Sequence, residues 1–404
     1  MLVVHKYGGS SLSTTQKIVE VAKHLVSLFD EGEEPVVVVS AMGSTTNNLI
    51  ELAGQVSSAP ERRELDALIS TGELQSAALL AMAISSLGAK AVSLNAHQAG
   101  ISTNSHPTHA TIKNVDISKI KHHLKDRKII IVAGFQGEDE FGNITTLGRG
   151  GSDTTATALA AALGCACEIY TDVEAVHTLD PNLFPDSKKL HEISYYEMME
   201  MAVSGAKVLD AKSVEIACLN KVPLYLGKAL ERDKSKGTWI MENAFVEHMP
   251  ISCITEKDHY NAIVITLGRF QTKYWNRVYK LCENLSCYEM LSSVISGEKT
   301  IFSFGVQDDA LEDVKQKIAD ELDESIGALI RGGVVEIHSG LSRLTLVGVG
   351  LCTHTKLTGE VSEILIDNQI EFGFVSNSEI SLSMTVDQKD KAKAIEILAK
   401  KFDL

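Results

Sequence analysis

Seven cysteines are present, but their number is odd and no two are spaced C-x-x-C, which argues against a disulfide framework and a structural zinc site. Basic charge is also short: 38 Lys and Arg against 53 Asp and Glu leave a formal net charge of -15. Without a basic stripe there is no electrostatic footprint for nucleic acid. No apolar run approaches the ~20 residues that cross a bilayer, and no signal-peptide pattern opens the chain. The expectation is a cytoplasmic protein with neither a membrane nor a nucleic acid among its partners. Two nucleotide fingerprints are missing as well. Neither G-x-x-x-x-G-K-[ST] nor G-x-G-x-x-G occurs, so any phosphate must be held by other means than a P-loop or a dinucleotide turn.

What is present is apolar: 44% of 404 residues, enough to bury two or three cores. Up to about residue 226, β-branched runs alternate with helical stretches, the pattern of an α/β fold with a largely parallel sheet. "LVVHKY", "PVVVVSA", "AKAVSL", "RKIIIVAGF", "CEIYTD" and "VPLYLG" read as strands, several of them apolar on both faces as helix-covered strands are. "FQGEDEFGNITTLG" reads as a hairpin turning at Gly142-Asn143. The charged segment "KALERDKSKGTWI" marks a linker, set at 228–247. After it the order strand, helix, strand, strand, helix occurs twice, with a nominal division at 330/331, as in paired ligand-binding or regulatory modules.

Three glycine-bearing turns, "KYGGSS", "SAMGSTTNN" and "LGRGGSDTT", follow strands. At the carboxyl edge of an open α/β sheet such turns face a common crevice and offer free N–H groups to an anion. Lys6, Ser40, Thr46 and the run Arg149–Asp153 would then converge there. Helix capping alone explains Ser152 or Asp153, but neither Arg149 nor the double glycine beside them.

"KYGGSS", "GRGGSDTTATALAAAL", "YTDVEAVHTLDPN" and "GAKVL", in this order, resemble the aspartokinases of the amino acid kinase family, and the tail resembles their tandem ACT domains. The resemblance implies an amino acid kinase fold over 1–227, an open and mainly parallel sheet sandwiched by helices, followed by two α+β ACT domains at 248–330 and 331–404, an architecture in which strands can interleave between the two. It implies transfer of the γ-phosphoryl group of ATP to the β-carboxylate of L-aspartate, with Mg2+ carried mainly on the ATP phosphates and no metal held by side chains alone. Lys6 and Asp153 are the implied catalytic pair. Lys6, Tyr7, Gly8, Gly9, Thr171, Asp172, His177, Asp180 and Lys207 would meet ATP; Ser40, Thr46, Glu73, Arg149, Gly150, Gly151 and Ser152 would meet aspartate.

The chain departs from the family pattern at His177 (usually Tyr), Asn182 (usually Arg) and Asp210-Ala211 (usually His-Pro), which bears on ATP affinity. Neither ACT turn, "GRFQTKYW" or "GVGLCTHTKL", carries Asp-x-Pro-Gly. Feedback by lysine, threonine or diaminopimelate and a purely dimerising role are therefore both open readings of the tail, with a homodimer or higher homo-oligomer expected. Two rivals stand beside the main reading: another amino acid kinase, acting on glutamate, acetylglutamate or UMP, and a weakly active kinase-like sensor subunit.

Overall fold

The computed structural model describes residues 1–242, 251–267, 289–296, 299–321, 334–352 and 356–404. These fall into two compact units. The first is Met1–His177, Lys188–Val203 and Lys207–Val246; the second is Thr178–Ser187, Ser204–Ala206 and Glu247–Leu404.

In chain order the first unit has strands β1 (Leu2–Tyr7), β2 (Glu34–Val39), β3 (Ala91–Leu94), β4 (Ile101–Thr103), β5 (Ile112–Val115), β6 (Ile129–Ala133), β7 (Gln136–Glu138), β8 (Ile144–Thr146), β9 (Cys167–Thr171), β10 (Val176–His177), β11 (Lys189–Leu190), β12 (Glu192–Ser194), β13 (Leu224–Lys228) and β14 (Thr238–Met241). Its helices are α1 (Thr15–Asp30), α2 (Thr45–Val56), α3 (Arg62–Ile69), α4 (Thr71–Ser86), α5 (Ala96–Ala99), α6 (Ser118–Lys125), α7 (Gly151–Leu163), α8 (Tyr195–Val203) and α9 (Ala211–Asn220).

Eight strands form one sheet in the order β12-β14-β13-β9-β1-β2-β6-β3. The six from β13 to β3 are mutually parallel, and β14 turns antiparallel to β13. All six strands read from the sequence lie in it. The valines of β2 and the isoleucines of β6 are fully buried, as parallel strands covered on both faces must be. Alternation along β1 sends His5 and Tyr7 to one face and Lys6 to the other. The His5 face holds an apolar cluster of Tyr7, Tyr170, Tyr225, Val37 and Ile131 under α1 and α4; α7 packs over β1 and β2. The expected hairpin is β7 paired with β8. Part of the stretch read as a linker is sheet instead: Thr238–Met241 pairs with both β12 and β13.

Among the described residues one helical run, Arg62–Ser86, has the length and apolar composition of a membrane span. Its buried stripe of Asp66, Ser70, Glu73, Ala77, Leu80 and Ile84 carries two carboxylates and follows the helical repeat of a core helix.

The second unit contains β15 (Cys253–Leu267), β16 (Glu289–Ser296), β17 (Lys299–Gln307), β18 (Val334–Val347), β19 (Phe372–Asn377) and β20 (Ser381–Asp387), with α10 (Asp308–Glu321), α11 (Leu357–Asp367) and α12 (Lys391–Phe402). All six strands make one antiparallel sheet, β16-β17-β15-β18-β20-β19. The long β15 serves both repeats. Its first half pairs with Arg343–Val347 and buries Ile254 among Leu344, Leu382 and Ile395; its second half pairs with β17. The strands therefore interleave. The first helix expected in the first of the two repeats and the turn "GRFQTKYW" lie outside the described residues.

Candidate active site

The three glycine turns meet. β1 ends at Tyr7, and Gly9 accepts a hydrogen bond through its carbonyl from the Gly43 N–H at 3.1 Å, which joins the first turn to the second. A Cβ on Gly9 would lie 2.8 Å from the Ala41 carbonyl oxygen, closer than real side chains approach, so the two turns touch only because Gly9 has none. The third turn joins through charge. Asp153, in the first turn of α7, places Oδ1 2.6 Å from Lys6 Nζ, with the two side chains 13% and 11% exposed. A pair this buried interacts far more strongly than one in water. Gly8 lies beside the ammonium: a Cβ on it would stand 3.5 Å from Lys6 Nζ, in ordinary contact.

Glu73, on α4, is buried and accepts a hydrogen bond from the Ala41 N–H at 3.1 Å. Burial pushes its carboxyl up to about 7, against the opposing pull of that hydrogen bond. Ser40 closes β2 with its N–H on the Tyr7 carbonyl at 3.1 Å, and Thr46 lies in the first turn of α2, half-buried. Arg149 is exposed and, among the described residues, forms no ion pair. Ser152 stands against Gly134: a Cβ on that glycine would lie 2.9 Å from Ser152 Oγ.

Gly150 takes a left-handed conformation (φ +69°), and a Cβ there would lie 2.3 Å from Asp210 Cβ and 2.4 Å from Asp210 Cγ. Asp210 caps α9 through the Lys212 N–H. Burial first, then the charge of Asp153, raises its carboxyl pKa. Gly150→Ala is expected to lose about 1–3 kcal/mol of stability, read as a lower denaturant midpoint at unchanged m-value.

Thr171, at the end of β9, donates through its hydroxyl to Asp172 Oδ1 at 2.8 Å. His177 is half-buried in β10, and Lys207 is exposed between α8 and α9. Asp180, in the second unit, turns its Oδ1 to the N–H and side-chain amide of Asn182 at 2.9 and 3.0 Å.

The Tyr7 ring is wholly buried and stacks on Tyr170 at 5.1 Å between centroids, on the opposite face of the sheet from Lys6. Only the backbone of Tyr7 reaches the turn. Two neighbours went unread. His5 bridges Glu33 at 2.6 Å and Glu168 at 3.4 Å, and Glu168 is further held by Tyr170 and Lys234. Its partners lie 28 and more positions away, so alternation could show that His5 is buried but not what it meets. Asp66 is the other.

The amino acid kinase family matches residues 1–228, and the ACT domain matches residues 344–402. The chain is 38% identical over 407 residues to the aspartokinase of Geobacillus stearothermophilus, covering 100% of this chain and 97% of that protein. Among solved structures, E. coli aspartokinase III in complex with aspartate and ADP superposes with a TM-score of 0.78 at 21% identity, covering 100% of both chains. The same enzyme in complex with lysine and aspartate superposes at 0.75 and 22% identity, covering 99% of both.

Proposed function

The chain belongs to the aspartokinases of the amino acid kinase family, and from that premise we propose how its residues transfer the γ-phosphoryl group of ATP to the β-carboxylate of L-aspartate. The observation that carries the assignment of roles is the buried Lys6–Asp153 pair at 2.6 Å where the glycine turns meet.

The acceptor needs no general base, because an aspartate side chain is already ionised at neutral pH. A β-carboxylate oxygen attacks the γ-phosphorus, the bond to the β–γ bridging oxygen breaks, and its electron pair leaves on ADP, giving 4-phospho-L-aspartate. Catalysis then rests on placement and on cations that meet developing charge. Lys6, oriented by Asp153, faces the phosphoryl oxygens, and the backbone of Gly8 and Gly9 lies close to the phosphates. Arg149, with no ion-pair partner among the described residues, pairs with a substrate carboxylate. Glu73 receives the α-ammonium, and Ser40, Thr46, Gly150, Gly151 and Ser152 complete the acceptor site. Within the first unit, Thr171, Asp172, His177 and Lys207 contact the nucleotide.

Among the described residues no three His, Cys, Asp or Glu side chains converge as a cation cage. Mg2+ would be carried mainly by the ATP phosphates rather than by side chains, and would supply neutralisation of phosphate charge. The tail reads as an amino-acid-responsive and dimer-forming module. Lysine is the first effector to test, because lysine is bound in the structural relative. Dependence on ATP supports a cytoplasmic location.

Hydroxylamine trapping tests the acceptor. With ATP and Mg2+, aspartate is expected to yield an acyl hydroxamate and glutamate none. A hydroxamate from glutamate alone would sink the reading.

A further inference from the structure

Seven residues before Glu73, on the same buried stripe of the α3–α4 run, stands a carboxylate with no part in the transfer just described. Asp66 is 0% exposed. Its Oδ2 accepts the N–H of Thr108 at 2.9 Å and of Thr146 at 2.8 Å, and its Oδ1 accepts the Thr146 hydroxyl at 2.7 Å. Among the described residues no cation pairs with it. Three directed donors, two of them backbone, make Asp66 a fixed point to which two other segments are tied.

Both segments lead to the arginine turn. Thr146 is the last residue of β8 and stands three positions before Arg149. Thr108 holds φ +68°, a conformation that a β-branched residue keeps only where its surroundings over-determine it; the bond to Asp66 is one such constraint. The Thr108 carbonyl oxygen and His109 Nδ1 each lie 3.2 Å from where a Cβ on Gly148 would stand, and Gly148 itself has φ +81°. The Ala110 N–H closes the link on the Thr146 carbonyl at 2.9 Å. The path of the chain into Gly148-Arg149-Gly150 is thus set by what Asp66 grips.

We propose that Asp66 is a positioning residue for the acceptor site, holding the entry to the arginine turn so that Arg149 meets the substrate carboxylate. The proposal rests on Arg149 being that ligand.

The test is steady-state kinetics, with KM for aspartate, KM for ATP and kcat resolved, on Asp66→Ala, Asp66→Asn and Arg149→Ala in the full-length enzyme. Asp66→Ala is expected to raise KM for aspartate about tenfold to a hundredfold, the scale of a misplaced binding group, while KM for ATP stays near wild type. Asp66→Asn is expected to restore KM to within about threefold, because its carbonyl oxygen can take both N–H groups while its amide donates to the Thr146 hydroxyl. An increase in KM for ATP equal to that for aspartate, or no rescue by Asn, would overturn the proposal.

Arg149→Ala separates the two layers. If it leaves KM for aspartate unchanged, the reading of Arg149 fails, and the proposal with it. If it raises KM while Asp66→Ala does not, the proposal alone fails. Should Asp66→Ala not fold, Thr146→Val removes only the hydroxyl donor and is expected to raise KM for aspartate about threefold to tenfold; an unchanged KM overturns the proposal.

Discussion

Lys6→Ala and Asp153→Ala are each expected to lower kcat at least about a hundredfold, with KM for aspartate near its wild-type value. The ammonium gains most from the phosphoryl group when charge has spread over its oxygens, so its removal is felt in the transition state and less in the ground state. Asp153 acts on the same step through Lys6 Nζ, 2.6 Å away, so the double variant should lose much less than the product of the single losses. Both side chains are largely buried, and removing one partner strands the other's charge. Circular dichroism and thermal midpoints must therefore show that each variant is folded at the assay temperature. Turnover near wild type in both folded variants would refute the pair's assignment.

How much of this was legible in the sequence follows from the range of the forces involved. Runs such as "PVVVVSA" and "RKIIIVAGF" declare their burial locally, because a parallel strand under helices tolerates no polar face. The glycine turns were legible because close approach leaves few alternatives to glycine, as the Ala41 carbonyl oxygen against Gly9 confirms. Other features are decided by distant partners. "TWIM" looks like the end of a charged linker until its pairing with β12 and β13 is known. Tyr7, next to the most telling lysine in the chain, inherits a role by proximity that strand alternation denies its side chain. Asp66 in "RRELDALIS" reads as one more helix carboxylate among exposed charges. The available signal was its spacing from Glu73, since positions seven apart fall on one helical face, and a second carboxylate on a buried stripe requires donors to satisfy it.

Glu73→Gln is expected to raise KM for aspartate about a hundredfold, the scale for loss of one partner of a buried, hydrogen-bonded charge pair, and to change its pH dependence. In the unliganded enzyme the Glu73 carboxyl titrates at about 7, so near neutrality about half of it is protonated. A substrate ammonium binds the ionised form, and protons compete with it. KM for aspartate in the wild type should therefore rise towards tenfold per unit as pH falls below about 7, and level off above it. The glutamine variant should show a high KM without this limb. Stability carries the same signature with a defined sign. A folded-state pKa raised from 4.5 means that burial favours the protonated carboxyl. That contribution is fully present below about pH 4.5 and is lost as pH rises through about 7. Relative to wild type, Glu73→Gln should thus gain on the order of 3 kcal/mol between pH 5 and pH 8. The comparison of the two proteins at each pH cancels every other titrating group they share. A glutamine variant with wild-type KM would remove Glu73 from the ammonium site; a raised KM in the variant beside a wild-type KM that stays flat from pH 6 to 8 would leave it there as a permanently ionised carboxylate and reject the role of burial in setting its proton affinity.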